Sequence, residues 1–387
     1  MRPLDHLAYR MLIGDRLKYL SLVAGLVFAS LLVVQQASIF TGYSDRTGSW
    51  IYDSDGHDLW VMDEQVEMSE DSKPLLQTAL SRVRGIDGVA WAVPLYKNYL
   101  KARLPDGKLI TVRVVGIDDA SLAGGPLGAS RESLATLRRD QAILVNEAQL
   151  ATILAVREAD GSTRPLAVGD AISINEHQAT VAGTFKATPD FFWDPVLYTT
   201  YSRALTMAPP ERRSTTYVLV KAKSGVELAG LAARIRETTG FAALTTEEFA
   251  ARTRTYVLAQ TGILINFGIT IVLGFIIGIL VAAQTLYSFI LENQRALAAL
   301  KAMGVRNARI ARMVVVQVFV VGVLGYGIGA GLAALSGSIL DSVGLAFRVT
   351  WTTLSLGLLA ILTSCLLAGL LGVRRVMRLD PASVFKT

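Results

Sequence analysis

The chain runs to 387 residues with a single cysteine, Cys365, and three histidines. One thiol, set inside an apolar run, excludes an intrachain disulfide and says nothing about redox compartment. His6, His57 and His177 are too scattered, and too far from any cysteine, to read as a zinc site. No G-x-x-x-x-G-K-S/T sequence occurs, so the chain has no P-loop in which to hold ATP phosphates. No G-x-S-x-G elbow marks a serine as nucleophile. The long apolar runs at residues 19–40, 262–290, 313–335 and 354–373 contain no Asp, Glu, Lys or Arg. That excludes the buried ionisable relay on which proton- or ion-coupled transport depends.

What is present is apolar and unevenly charged. Hydrophobic residues make up 52% and charged residues 18% of the chain, and the mean hydropathy is +0.42. This is too apolar for a soluble protein and too charged for one wholly in a membrane, so a set of spans joined to a water-exposed domain is expected. Each run reaches or exceeds the roughly 20 residues that a hydrocarbon core of about 30 Å requires, which predicts four transmembrane helices. Arg2, Arg10, Arg16 and Lys18 precede the first run, and Arg374, Arg375 and Arg378 follow the last. The net charge of +6 therefore reads as topology, with both termini cytoplasmic, rather than as a nucleic-acid footprint. The first run is long for a signal peptide and no A-x-A site follows it, so it is expected to stay uncleaved. Ahead of it, residues 1–18 alternate Leu4, Leu7, Met11 and Leu12 with Arg10, Asp15, Arg16 and Lys18, the pattern of a cytoplasmic amphipathic helix on the bilayer surface.

Residues 41–261 change to mixed polar and apolar segments and are expected to form an extracytoplasmic domain. Strand patterns at 58–66, 216–221 and 242–245, helix patterns at 73–83 and 225–238, and a hairpin over 91–115 turning at Leu104-Pro105-Asp106-Gly107 make two β-α-β halves, one at each end of the domain. Together they predict a ferredoxin-like unit. Residues 116–204 are then a β-rich insertion, with strands at 142–145, 171–174 and 180–186. Residues 248–260 extend the second span outward as a stalk. Asp53-Ser54-Asp55-Gly56-His57-Asp58 resembles a calcium loop only superficially, because its Gly comes too early and no Glu closes it. It reads as a turn before a strand. Phe191, Phe192 and Trp193, beside Pro189 and Pro195, are a candidate partner-contact patch, although local core is the blander explanation.

The segment 291–312 separates the second and third spans and is short, basic and helix-prone. As a helix it places Ala296, Ala299, Leu300 and Met303 on one face, with Gln294 and Lys301 opposite. Gly304 supplies the stop and Asn307 a cap for the next helix. By composition alone this is an interfacial basic helix. In the third span Gly322, Gly325, Gly327, Gly329 and Gly331 are expected to let helices approach closely. Asn266, Gln284 and Gln317 are expected to hydrogen-bond between helices. Residues 336–353 form an outer loop and 374–387 a cytoplasmic tail.

Two stretches carry a family resemblance. The run Glu292-x-x-Arg295-Ala-Leu-Ala-Ala-Leu-Lys-Ala-Met303-Gly304-Val resembles the cytoplasmic signature of ABC-transporter permeases of the MacB, LolC and FtsX type. The segment Arg374–Phe385, RRVMRLDPASVF, with Arg374, Arg375, Asp380 and Pro381, is similar to the closing signature of that family. The resemblance implies that Glu292, Arg295, Ala296, Ala299, Leu300, Lys301, Met303 and Gly304 dock on a separate ABC ATPase, which binds the ATP and Mg2+ that this chain does not. It also implies a non-catalytic permease of the bacterial inner membrane, paired with a second permease subunit and working by mechanotransmission. The domain of residues 41–261 is similar to the two-part outer domain of the MacB and LolC type. The separate permease and the stretch Asp58-Leu59-Trp60-Val61-Met62 look most like the DevC type, which implies export with a membrane-fusion protein. An FtsX-type regulator of a cell-wall hydrolase and a LolC-type lipoprotein-releasing permease are the alternatives.

Overall fold

The computed structural model describes residues 16–342 and 344–377. Most of the amino-terminal amphipathic segment, and Asp380 and Pro381 of the tail, lie outside the described residues. The chain divides into two units, Ser44–Gln260 and a second made of Met1–Tyr43 with Thr261–Thr387. Helix α1 spans Arg16–Arg46.

In the first unit the chain makes β1 (Leu59–Met62), helix α2 (Ala79–Arg84), β2 (Val89–Arg103), β3 (Leu109–Ile117), β4 (Ala142–Asn146), β5 (Val156–Arg157) and β6 (Thr163–Arg164). It continues through β7 (Ala171–Ile174), β8 (His177–Phe185), β9 (Val196–Thr200), β10 (Tyr217–Ala222), helix α3 (Leu228–Thr239), β11 (Ala242–Thr245) and helix α4 (Thr246–Gln260). The main sheet is ordered β11-β1-β10-β2-β3-β9-β4-β8-β7.

Its first part is the expected ferredoxin-like unit. The order β11-β1-β10-β2 is antiparallel throughout, and the β1-α2-β2 and β10-α3-β11 halves come from opposite ends of the domain. All four residues of β1 are buried, because both faces of the sheet are covered. Side chains alternate across a strand. Leu59 and Val61 therefore join Val218, Val220, Ala79, Val83, Leu231 and Ile235 under the helices. Trp60 joins Tyr217, Trp50 and Phe249 on the other face, where the ring centroids of Trp60 and Tyr217 lie 5.5 Å apart.

The insertion closes on itself. β2 is 15 residues long and belongs to both parts: Val89–Leu95 pairs with β10, and Tyr96–Arg103 pairs with β3. Pro94 is tolerated because its stretch of β2 has a ladder on one side only. From β3 the pairing runs through β9, β4, β8 and β7 and returns to β2, where Ala102 faces Ile174. The ring is a six-stranded barrel, filled by alternate residues such as Leu100, Ala102, Val112, Val114, Ile143, Val145, Ile172, Val181 and Leu197. Strand β9 and the short β5–β6 hairpin lie outside the sequence-derived strands. Closure removes the exposed strand edges that an open insertion would leave.

The second unit holds α1 up to Tyr43, followed by α5 (Ile263–Glu292), α6 (Gln294–Ala302), α7 (Asn307–Ser342) and α8 (Trp351–Met377). Among the described residues, four helices are long and apolar enough to cross a membrane: α1, α5, α7 and α8. Their common core includes Leu26 and Ala29 from α1, Ala282 and Leu286 from α5, Val314, Val318 and Val321 from α7, and Ile361 and Cys365 from α8. Helix α4 ends at Gln260 and α5 begins at Ile263, with Gly262 between them at a φ of 67°. The stalk is thus a separate helix, because a left-handed residue cannot continue an α-helix.

Candidate coupling surface and a buried ionic cluster

Helix α6 stands between α5 and α7 and ends in a Schellman motif. Gly304 adopts a φ of 85°, its N–H donates to Lys301 O at 3.1 Å, and Val305 N–H reaches back to Leu300 O at 3.1 Å. Only glycine takes that conformation without strain, which makes Gly304 the stop. At the start of α7, the N–H groups of Arg309 and Ile310 both bond to Arg306 O. Arg306, rather than Asn307, therefore holds the cap position.

The side chains of α6 divide into an inner and an outer set. Leu297 and Ala298 are buried, with Leu297 packed among Ile290, Ile310 and Met313. These two residues fasten the helix, and the sequence reading passed over them. The signal was the i, i+7 pair of Ile290 and Leu297, hidden by the break between α5 and α6. Of the expected stripe, Ala296 is exposed, Ala299 and Leu300 are half-buried, and Met303 is 72% exposed. Glu292, Arg295 and Gly304 are exposed and Lys301 is half-buried. The helix thus presents a small apolar surface ringed by charge. Arg374 is exposed near the end of α8, and Arg375 belongs to the same helix.

The glycines of α7 serve two faces. A Cβ at Gly325 would lie 2.8 Å from Leu26 Cβ, and one at Gly329 would lie 2.5 Å from Val27 O. These two let α7 close on α1. A Cβ at Gly327 or Gly331 meets nothing within 4 Å, so that face is turned away from the chain's own helices. Gln317 is buried, whereas Asn266 and Gln284 are exposed on α5.

In the α/β unit, four charged side chains converge under loops on the outer wall of the barrel. Lys97 and Tyr99 share one face of β2, and Arg113 stands opposite Tyr99 on β3, so the three project together. Glu70 covers them from the loop between β1 and α2. Lys97 Nζ lies 2.6 Å from Glu70 Oε1, and Arg113 Nε lies 3.3 Å from Glu70 Oε2. Tyr99 OH donates to the same carboxylate. Arg113 Nη1 lies 2.5 Å from Asp190 Oδ2, and Lys97 Nζ stands 3.9 Å above the Trp50 ring. Side-chain exposure is 1% at Lys97, 0% at Arg113 and 4% at Glu70.

Charges so far from water persist only when paired. Burial pushes the Glu70 carboxyl up, but Lys97 and Arg113 outweigh it and hold the group down at about 2. Burial lowers the Lys97 ammonium to about 8 against the opposing pull of Glu70. Asp190 is raised by burial, with Arg113 offsetting part of the effect. The cluster was not legible in the sequence, because charges alternating along a strand read as a solvated face.

Asp190 opens the aromatic strap foreseen as a contact patch. Phe191 and Phe192 are half-buried, with their rings edge to face at 5.1 Å. Trp193 is 58% exposed. Arg113 lies 5.7 Å from the Phe192 ring centroid, so this part of the strap is built onto the ionic cluster.

Comparison with known proteins gives two matches along the chain. A family model described as "MacB-like periplasmic core domain" matches residues 21–238, and one described as "FtsX-like permease C-terminal" matches residues 268–381. Among solved structures, the extracellular domain of the noncanonic ABC-type transporter YknZ from Gram-positive bacteria is 16% identical, with a TM-score of 0.32 over 49% of this chain and 99% of that one. The periplasmic region of MacB from Actinobacillus actinomycetemcomitans is 12% identical, with a TM-score of 0.33 over 51% of this chain and 92% of that one. No curated protein matches the chain.

Proposed function

Because the chain belongs to the MacB/FtsX family of ABC-transporter permeases, we propose that it is the membrane subunit of an ATP-driven exporter that works by mechanotransmission. A separate cytoplasmic ABC ATPase binds ATP and Mg2+ and docks on α6. Its closure pushes α6, and the motion passes through the membrane helices to the α/β domain outside the cytoplasm. The observation that carries this reading is the form of α6: burying Leu297 and Ala298 inward and offering Ala296 and Met303 outward. The uncharged spans and the missing P-loop agree with an energy source supplied in trans.

A second permease subunit completes the assembly in this reading, and the outward Gly327 and Gly331 suit a close helix-helix approach to it. A membrane-fusion protein is the proposed outer partner, as for the DevC type. The setting is the bacterial inner membrane with both termini cytoplasmic. The test is a pull-down of the tagged, detergent-solubilised chain from its native membrane, with identification of what co-purifies. An ABC ATPase together with a membrane-fusion protein is the expected result. An ATPase with a cell-wall hydrolase or a lipoprotein carrier replaces the exporter reading by the FtsX or LolC type, and no ATPase overturns the proposal.

A further inference from the structure

The α/β unit joins the rest of the chain at its two ends, Ser44 and Gln260, and both ends lead to the same point inside it. At the carboxyl end, Thr253 of α4 is fully buried, and its hydroxyl accepts from the N–H of Ser69 at 3.1 Å. Arg252 grips the same β1–α2 loop, its Nη2 donating to the Glu64 carbonyl at 3.0 Å. At the amino end, Trp50 is 5% exposed. Its ring lies beneath Lys97 Nζ, and its indole N–H donates to Tyr198 OH on β9 at 3.1 Å. Beyond it, the Asp53 carboxylate accepts from the N–H and the hydroxyl of Thr188, both at 2.7 Å, in the strap that carries Asp190.

The point where these ties meet is the joint between the two parts of the unit. β2 pairs with β10 up to Leu95 and with β3 from Tyr96, so the ferredoxin-like part and the barrel share one strand. A few residues at such a crossing can absorb a change of angle between two bodies. Ser69 and Glu70 close over the crossing. The Ser69 carbonyl accepts from Tyr217 OH on the ferredoxin-like side at 2.9 Å, and from Lys97 Nζ beyond the crossing. The Glu70 carboxylate then takes Lys97 and Arg113 on the barrel wall. Bending at the crossing would pull Glu70 from two cations that are 1% and 0% exposed, and a buried charge parted from its counter-ion is strongly disfavoured. The joint is therefore held at one angle by the same residues that receive the unit's two ends.

We propose that Ser69, Glu70, Lys97 and Arg113 form a brace across this joint, through which the barrel follows α4 and the segment around Trp50. The inference rests on the mechanotransmission reading and makes the barrel the part that is moved. Thr253 and Trp50 are positioning residues that act through the brace.

The test is hydrogen exchange of the full, detergent-purified chain, followed peptide by peptide. Thr253→Val keeps the shape of the side chain but removes the acceptor of the buried Ser69 N–H. Exchange is expected to rise roughly fivefold or more over residues 64–73 and, across the joint, over 97–103, 111–115 and 186–192. Thr253→Ser keeps an acceptor and is expected to exchange as the unaltered chain does. Helix α3 has no part in the brace and serves as the internal reference, expected to stay unchanged. A rise confined to 64–73, or none at all, overturns the brace, because the loop and the barrel are then uncoupled. A rise of equal size in α3 overturns it as well, since general loosening needs no brace. Should Thr253→Val fail to fold, Trp50→Phe removes the indole N–H bond and keeps a ring beneath Lys97. Faster exchange at 97–103 and 196–200 with α3 unchanged is then the expected result, and unchanged exchange there overturns the brace. No ATPase is present in this measurement, so its failure overturns the brace alone, whereas a pull-down without an ATPase overturns the reading on which the brace rests.

Discussion

Lys97 Nζ lies 2.6 Å from Glu70 Oε1, and the two side chains are 1% and 4% exposed. The pair joins the β1–α2 loop to the strand shared by the ferredoxin-like unit and the barrel. Replacing Glu70 with Gln leaves Lys97 with uncompensated buried charge and Arg113 with Asp190 as its remaining carboxylate. We expect a loss of about 3–5 kcal/mol, read as a lowered first transition in thermal unfolding of the detergent-purified chain. By contrast Lys223→Ala, which breaks an exposed pair with Asp87, leaves that transition unmoved. Equal behaviour of the two variants would remove the ionic cluster as a structural element.

The same carboxyl sets an acid limit. Glu70 is held at about 2 against an ordinary 4.5, so its contribution is fully present above about pH 4.5 and is lost as pH falls towards 2. The amount at stake is about 3 kcal/mol. Asp190, raised rather than lowered, acts with the opposite sign and offsets part of the loss. The stability difference between the unaltered chain and Glu70→Gln is therefore expected to shrink steadily between pH 4.5 and 2, followed by denaturant titration. A difference that stays constant over that interval contradicts the assignment.

On α6, Met303→Asp places a carboxylate on the exposed end of the apolar surface without touching the buried side of the helix. Partner-stimulated ATPase activity is expected to fall roughly tenfold or more, with membrane insertion unchanged. Leu297→Asp strikes the fastening residue instead and lowers the yield of inserted chain. Full activity in the Met303 variant would remove α6 as the docking element.

The two faces of α7 give a matched pair. Gly329→Ala brings a methyl to 2.5 Å from Val27 O and 2.7 Å from Ser30 Cβ, an overpacking expected to cost about 1–3 kcal/mol. Gly331→Ala meets nothing within 4 Å in its own chain and leaves the monomer's unfolding temperature in detergent unchanged. A loss of self-association in Gly331→Leu, measured by cross-linking in membranes, would support the proposed second subunit.

Much of the architecture was legible because it rests on local patterns. Apolar runs of bilayer length marked α1, α5, α7 and α8. Leu59, Trp60, Val61 and Met62 read as a strand, and Ala242–Thr245 was placed to the residue. Gly304 announced the end of α6, since only glycine takes its φ of 85° cheaply. The pairing of the domain's two ends into a ferredoxin-like unit followed from the order of strands and helices.

What sequence alone determined, then, is whatever depends on neighbours along the chain: span length, strand alternation, turn chemistry and the family signature on α6. Only the tertiary structure decided which distant residues meet. Closure of the barrel through Ala102 and Ile174 depends on a ladder between remote strands. The ionic cluster draws Glu70, Lys97, Arg113 and Asp190 from four separate segments, and each of them alone reads as a solvated charge. The division of the α7 glycines into packed and outward faces needed the partner helix. The physical reason is common to all three: burial and pairing are properties of contacts, and a contact between residues far apart in the chain leaves no periodicity to read.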